Sequence, residues 1–459
     1  MNRPDKPDLP PEFPGATWYD EAEIEAAVRV LRRQSPFRYY GPDCGFETDR
    51  FEADFARFIA GTPGMPWPEK SDFYVTAVNS GTGALEIALD ALGVGCGDEV
   101  LVQGFMWISS ISAIIRNRAI PVLVDSDDTL NMAPEAIRAR VTPRTKVIMP
   151  VPMLGGCVRM DALMKEVRDI NAARAAQGLP PIRVLEDCAQ ALGAHGQGQP
   201  GSVAPVDDEG VHRVGTFGDV GIFSLQINKN ISAGEGGVLV TRDPELHRRI
   251  NALHNAGYVP DANAPRYWYG DVPLGWGHGR RMSEIQSAVA RVQLTKLDDI
   301  VNAMRRSHQR LEEHVRQLGM TPRARADQEY PGDTGYYCLF QLPPDGAGEA
   351  QQIARGRAVA AALDEFGLRP WFLHDFEVHV YYNIAPLVEK KPLNHKCPWA
   401  CAHNSFHEQY RYERGTLPRL DAALITTVGI NVPSLLTSQQ EDGIRAALTY
   451  VLGGVKNPG

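Results

Sequence analysis

The stretch Tyr74–Leu85, YVTAVNSGTGAL, decides the fold class because it contains a strand, a turn and the start of a helix. The apolar run Tyr74–Val78 is typical of a buried strand, and a helical period of apolar residues begins at Leu85. Small residues lie between them, with a helix start expected near Gly83, so the turn presents backbone N–H groups at the positive end of a helix. Such a turn suits a phosphate, although an ordinary strand-to-helix connection capped by Ser or Thr looks the same.

The same alternation of short apolar runs and helical periods continues toward the C-terminus. Several runs are apolar without alternation, which is typical of strands buried on both faces of a parallel sheet. Strands that alternate with helices indicate an open, mostly parallel α/β sheet. The predicted strands are Tyr74–Val78, Glu99–Val102, Pro121–Val124, Val147–Val151, Arg183–Leu185, Val220–Leu225 and Gly237–Val240.

Composition excludes several classes of protein. The 459 residues include 47 Lys and Arg against 56 Asp and Glu, a net charge of −9, which argues against a chain that coats nucleic acid or an anionic membrane. No apolar run approaches the ~20 residues of a membrane span, and the polar, proline-rich start is not a secretory signal. The seven cysteines are scattered and odd in number, so we expect a reducing compartment, the cytoplasm.

Two reactive side chains follow strands of the predicted sheet. Asp187 comes at the end of a buried strand, where it can hold a cationic ring nitrogen or a metal, or cap the next helix. Lys229 follows the strand Val220–Leu225 and precedes a glycine-rich turn. A lysine partly desolvated there becomes an amine nucleophile, although a solvated loop lysine fits the same pattern.

The turn, the acid and the lysine together are a more specific signal than any one of them. A phosphate-binding turn, an acid for a protonated pyridine nitrogen and a Schiff-base lysine occur in that order on successive strand–helix units. These are the parts that pyridoxal 5′-phosphate requires of a protein.

Longer motifs then indicate a family. They are SGTGAL (80–85), GDEVLVQGFMW (97–107), LEDCAQALGA (185–194), VGTFGDVGIFS (214–224), NKNISAGEGG (228–237) and RMSEIQSAVARVQLTKLDDI (281–300). With these motifs the chain resembles the DegT/DnrJ/EryC1/StrS sugar aminotransferases, a branch of the fold-type I pyridoxal-phosphate enzymes. The resemblance implies a three-layer α/β/α large domain with a mostly parallel sheet, a smaller C-terminal α/β domain and a homodimer. We predict an N-terminal arm at 1–36, a cofactor-binding domain at 37–300 and a small domain at 301–459.

The resemblance assigns roles by position. Lys229 matches the Schiff-base lysine, and Asp187 matches the carboxylate that pairs with the pyridine nitrogen. Gln190 matches the side chain beside the ring hydroxyl, and Trp107 matches the aromatic residue that stacks on the cofactor. The phosphate contacts match Gly81, Thr82 and Ser224.

The implied reaction moves an amino group from glutamate or glutamine to a keto sugar, in amino-sugar or antibiotic biosynthesis. The sugar is expected to be nucleotide-linked or of the higher-carbon, octose type. A narrower resemblance, to the enzyme that aminates C8 of an octulosonate sugar, rests on Phe37–Tyr39, Met153–Gly156 with Met160-Asp161, and the aromatic stretch Trp371–Tyr382.

The chain departs from the family pattern at two positions, and two segments interrupt the alternation of strands and helices. Gly279 replaces an Asn that reaches the phosphate of the partner's cofactor, a contact that Arg280 or His278 could replace, and Gln226 replaces a common histidine. The Gly- and Pro-rich segment Gly196–Arg213 is predicted to be an inserted surface loop. The aromatic segment Tyr258–Arg281 is predicted to be a loop near the active site or the dimer partner.

Three alternatives remain open at this point. A dehydratase of the same fold typically carries histidine in place of Lys229, and a non-catalytic binding partner would not need the intact set. The third is zinc binding by Cys397 and Cys401 with the histidines at 395 and 403, since thiolate and imidazole are zinc ligands. Without a second, separated ligand pair, the pattern favours structural cysteines and no metal.

Overall fold

The computed structural model describes residues 2–203, 210–257, 275–327, 332–344, 346, 348–393 and 396–454. Within them the strands are β1 Tyr74–Val78, β2 Glu99–Gln103, β3 Ile120–Val124, β4 Thr145–Met149, β5 Arg183–Asp187, β6 His195–Gly198, β7 Gly210–Arg213, β8 Val220–Ser224, β9 Gly237–Thr241, β10 Thr321–Pro322, β11 Tyr337–Gln341, β12 Trp371–Phe372 and β13 Thr427–Asn431. The α-helices are α1 Glu21–Arg32, α2 Glu47–Ala60, α3 Gly81–Ala91, α4 Ile108–Arg116, α5 Pro134–Ile137, α6 Met160–Ala175, α7 Pro244–His254, α8 Glu284–Gln317, α9 Glu349–Asp364, α10 Ala385–Val388, α11 Pro418–Leu424 and α12 Ser438–Leu452.

The large sheet has the strand order β1-β9-β8-β5-β4-β2-β3. The neighbours from β8 to β3 pair in parallel, whereas β9 is antiparallel to both β1 and β8. All the strands predicted from the sequence lie in this sheet, and none of their ends is displaced by more than two residues. The prediction of a mostly parallel α/β sheet is therefore confirmed.

Helices cover both faces of the large sheet. Successive residues of a strand point to opposite faces, so they belong to two different cores. Val100 and Val102 belong to the core shared with α3 and α4. Leu101, between them, belongs to a second core that includes α5 and α6. The fold is thus the three-layer α/β/α arrangement that the family resemblance implied.

A smaller sheet lies in the C-terminal third, with the order β10-β11-β13-β12 and antiparallel pairing throughout. The helices α8, α9 and α12 contribute to its separate apolar core, which includes Phe340, Leu363 and Leu448. This sheet and its helices form the predicted small α/β unit. Helix α8 continues through position 300, where the sequence-based domain boundary was drawn, and that boundary stays a prediction.

Helix α1 lies in the predicted N-terminal arm, and two of its large apolar side chains do not pack on the protein. Ile24 and Leu31 are 55% and 57% exposed. The buried face instead carries Ala26 and Val30, which pack against Ala288 of α8.

A buried carboxylate explains this orientation of α1. Glu23 is buried, and its two carboxylate oxygens accept hydrogen bonds from Gln293 Nε2 at 2.7 Å and from Lys296 Nζ at 2.8 Å. Apolar periodicity alone does not reveal such a buried polar contact.

The prediction of a surface loop at Gly196–Arg213 is wrong at both ends of the segment, where the structure has strands. Strands β6 and β7 pair antiparallel there, from His195 opposite Arg213 to Gly198 opposite Gly210. Backbone hydrogen bonds hold these two strands together, and such bonds do not require an alternating apolar pattern. The Gly-rich sequence therefore gave no indication of a strand. Residues 204–209 lie outside the described residues, as does 258–274, most of the predicted aromatic loop.

Candidate active site

A cavity of about 640 Å³ lies where the C-terminal ends of the large sheet's strands meet the small sheet. The strands β5 and β8 and the turn after β1 deliver polar side chains to it, as expected for the carboxyl edge of an open α/β sheet. All residues predicted for the cofactor site line this one cavity: Gly81, Thr82, Trp107, Asp187, Gln190, Ser224 and Lys229.

One end of the cavity is the start of helix α3. Ser80 caps this helix, and its Oγ accepts a hydrogen bond from the N–H of Gly83 at 3.0 Å. The helix begins at Gly81, two residues before the predicted start, and the first N–H groups of a helix have no partner within it. The hydroxyls of Thr82 and Ser109 lie 2.8 Å apart at the same end. Helix dipole, N–H groups and hydroxyls together suit an anion such as phosphate.

Position 81 requires glycine for a packing reason. A Cβ on Gly81 would lie 2.8 Å from the Cβ of Ser224, which real Cβ atoms essentially never allow. The missing side chain therefore lets the hydroxyl of Ser224, at the end of β8, sit against the start of α3.

Asp187 ends strand β5 and is only 3% exposed. Burial raises the pKa of its carboxyl, while the hydrogen bonds from Ser110 and Ala189 and the charge of Lys229 act in the opposite direction. The Oγ of Ser110 donates to Oδ2 at 2.6 Å, and the N–H of Ala189 donates to Oδ1 at 3.3 Å. A desolvated carboxylate that lines a cavity is stabilised by a cationic group that enters it.

Lys229 lies in the turn after β8 and is half-buried. Desolvation lowers the pKa of its ammonium group, and the carboxylates of Asp187 and Glu235 partly oppose this shift. A lowered pKa increases the fraction of neutral amine, which is the nucleophilic form. Gln226, in the position of the family's common histidine, shapes the turn, because its Oε1 accepts the N–H of Asn228 at 2.9 Å.

Gln190 and Trp107 complete the set that the family resemblance assigned. The Oε1 of Gln190 accepts the N–H of Leu154 at 2.9 Å, which orients the amide in the cavity wall. Trp107 precedes α4 and is 42% exposed. Its ring centroid lies 4.7 Å from that of His379.

The opposite wall consists of residues that the sequence analysis did not assign to the site. It comes from the C-terminal third and includes Tyr336, Tyr337, Trp371, Phe376, His379 and Asn431. His379 stacks on Phe376 at 3.9 Å, and desolvation together with the charge of Lys229 lowers the pKa of His379 to about 4. The N–H of Met106 donates to the carbonyl of His379 at 2.9 Å, so backbone contacts join this wall to the end of β2.

The residues around Gly279 contact helix α3 of their own chain. Arg280 Nη2 donates to Glu86 Oε2 at 2.5 Å, and His278 Nε2 lies 3.0 Å from Asp90 Oδ2. Both predicted substitutes for the missing phosphate-contacting Asn thus already have a carboxylate partner, and their contact with a partner subunit's cofactor stays a prediction.

Sequence and structure comparisons identify the family. A sequence model of the DegT/DnrJ/EryC1/StrS aminotransferase family matches residues 19–364. The chain belongs to this family. The aminotransferase is 34% identical over 366 residues to L-glutamine:2-deoxy-scyllo-inosose aminotransferase from Streptomyces fradiae, covering 78% of each chain.

A second relative and a solved structure extend the comparison. GDP-perosamine synthase from Caulobacter vibrioides is 34% identical over 326 residues, which cover 70% of this aminotransferase and 76% of that protein. The crystal structure of 3-amino-5-hydroxybenzoic acid synthase matches with a TM-score of 0.71 and 28% identity, over 99% of this chain and 100% of the other.

The cofactor of this aminotransferase is pyridoxal 5′-phosphate, on which the family depends. The cavity fits it, because an anion-binding helix start, a half-buried lysine and a buried carboxylate line the same space. None of the described helices combines the length and the apolar character that crossing a membrane requires.

Proposed function

We propose that this aminotransferase transfers an amino group from glutamine or glutamate to a keto sugar, with the seven predicted residues holding and activating the cofactor. The observation that carries the proposal is that Lys229, Asp187 and the start of α3 line one cavity. The names of the relatives support the substrate class: one specifies L-glutamine and 2-deoxy-scyllo-inosose, and the other GDP-perosamine. Whether the sugar is nucleotide-linked, or an octulosonate, stays a prediction.

Pyridoxal phosphate, when bound, supplies an electron-withdrawing ring that makes the hydrogen on the amino donor's Cα acidic. Lys229 would hold the cofactor through Nζ. The same Nζ, whose pKa desolvation lowers, would serve as the base that takes this proton from the donor and returns it to the cofactor. Asp187 would pair with the ring nitrogen, because a cationic partner stabilises a buried carboxylate.

The remaining residues position the ring. Gly81, Thr82 and Ser224 would hold the phosphate at the start of α3, and Trp107 would pack against the ring. Since the Oε1 of Gln190 already accepts a backbone N–H, its Nε2 would be the end that donates to the ring hydroxyl oxygen.

We also propose a homodimer. A partner subunit would cover large apolar side chains that this chain exposes, among them Ile24, Leu31, Tyr40 and Phe46. Light scattering on the purified protein measures the mass directly, and a monomer at micromolar concentration would contradict this part of the proposal. The three-part domain division and the cytoplasmic location stay predictions.

The near-visible absorbance of the purified protein tests the function. We expect a cofactor band that collapses to the pyridoxamine form on adding glutamine or glutamate, and that returns when a keto sugar is supplied. Lys229→Ala should remove turnover. A band that ignores both amino acids would favour the dehydratase or the non-catalytic alternative, and no band after soaking in pyridoxal phosphate would refute the assignment of Lys229.

A further inference from the structure

Three cysteines from distant parts of the chain converge outside the cavity. Cys96 lies in the turn between α3 and β2, whereas Cys397 and Cys401 lie between α10 and α11. Their sulfur atoms all lie within 4.8 Å of one another, and the Sγ atoms of Cys96 and Cys401 are 4.0 Å apart. The tertiary structure thus supplies the separated ligand whose absence from the local pattern had argued against a metal.

The spacing matches a tetrahedral thiolate site. Zinc–sulfur bonds of about 2.3 Å in a tetrahedron place the sulfur atoms about 3.8 Å apart. Small rotations of the three side chains bring the observed sulfur atoms to that separation. A disulfide would instead need Cys96 and Cys401 to approach to about 2 Å and would leave Cys397 without a role.

We propose that Cys96, Cys397 and Cys401 bind a structural zinc ion, with His403 or a water molecule as the fourth ligand. His403 is exposed and lies two residues beyond Cys401. Soft thiolate ligands select zinc over the oxygen-preferring cations, and four-coordinate thiolate-rich sites in proteins are usually structural.

The geometry of the cluster favours a bound cation. Thiolates held within 4.8 Å of one another repel, and a dication between them removes that repulsion.

The surrounding scaffold holds the three sulfur atoms in place before any metal binds. The fully buried Asn404 accepts the N–H of Gly97 at 2.7 Å and donates to the carbonyls of Arg118 and Pro398 at 2.9 and 3.0 Å. Trp399 is buried between the two cysteines of its segment. Zinc would therefore lock the segment 396–409 onto the turn that leads into β2, and its loss would lower stability rather than change the chemistry in the cavity.

Metal analysis of the holoenzyme, purified without chelators, tests the proposal. We expect about one zinc per chain by inductively coupled plasma mass spectrometry. Cys96→Ser should lose the metal and several degrees of melting temperature, and a chelator should lower the melting temperature of the wild type but not of this variant. Cys44→Ser is the matched control, because Cys44 is a partly exposed cysteine outside the cluster whose Sγ donates to the carbonyl of Gly41 in its own turn.

Cobalt substitution of the wild type tests the ligand set without a variant. Co²⁺ in a tetrahedral thiolate site absorbs strongly in the red, where pyridoxal phosphate does not absorb, and we expect this spectrum after exchange. If the His403→Ala variant keeps the metal, the fourth ligand is water, which agrees with the proposal. Fully reduced protein with no bound metal and no cobalt spectrum would overturn the proposal, as would a Cys96–Cys401 disulfide found by peptide mapping under native redox conditions.

Discussion

The Ser110 hydroxyl donates to the buried carboxylate of Asp187 at 2.6 Å, and we expect Ser110→Ala to impair catalysis while leaving the fold intact. Ser110 is fully buried in helix α4, so alanine keeps the backbone and most of the packing. What the substitution removes is one of the two hydrogen bonds that favour the ionised form of Asp187.

The expected loss of rate in Ser110→Ala follows from the negative charge on the Asp187 carboxylate, which accepts the hydrogen bond. A hydrogen bond to a charged group contributes about 1.5–3 kcal/mol, and its loss raises the pKa of Asp187 further because the ionised carboxylate loses that stabilisation. A more basic Asp187 draws the shared proton away from the ring nitrogen, and the ring becomes a weaker electron acceptor. We therefore expect the transamination rate to fall about 10- to 100-fold, and cofactor affinity to fall as well.

Stopped-flow absorbance with glutamine measures the rate of the first half-reaction, and titration of the apoprotein with pyridoxal phosphate measures affinity. Ser307→Ala is the matched control, because Ser307 is also buried and its Oγ donates to Glu441 Oε1 at 2.6 Å, between α8 and α12. Both variants should lose similar stability, but the control should keep the wild-type rate. A Ser110→Ala rate within twofold of wild type would show that Ser110 does not support Asp187.

Three further substitutions test the cavity residues. Lys229→Ala should reduce turnover to background in a coupled amino-transfer assay, and near-normal activity would contradict its role as base and covalent anchor. Asp187→Asn should weaken cofactor binding yet stabilise the apoprotein at pH 7. Because burial raises the pKa of Asp187, wild-type apoprotein gains stability as pH falls through that raised pKa, and melting curves of the variant should lack this gain. Gly81→Ala should lower cofactor affinity at least tenfold and destabilise the protein by about 1–3 kcal/mol, because its Cβ would lie 2.8 Å from that of Ser224; unchanged affinity would argue against phosphate binding there.

Local sequence predicted the large sheet and the residues at its carboxyl edge. Strands such as β3 and β8 are nearly continuous apolar runs because helices bury both of their faces, and this pattern is visible without the structure. Parallel strands end at one edge, so Asp187 and Ser224, which end two of them, and Lys229, which follows, had to come close together.

The sequence did not predict the side chains whose position depends on a helix or strand that is distant in the chain. Ser110 is one hydroxyl of a helix with an ordinary apolar pattern, and only the packing of α4 against α3, β2 and β3 places it beside Asp187. Glu23 is one charged residue of α1, and only its contacts with Gln293 and Lys296 of α8 explain its burial. In both cases the partner lies far along the chain, and periodicity reports only on near neighbours.

The amino-acid sequence by itself determined the fold class, the cofactor and seven of the residues that line the cavity, because each depends on motifs within single strand–turn–helix units. The tertiary structure alone decided the wall that carries His379, the donor to Asp187 and the meeting of Cys96 with Cys397 and Cys401. These features arise when segments 77 to 305 residues apart dock through buried surfaces. The free energy of that docking depends on the fit of whole surfaces, which no local pattern encodes.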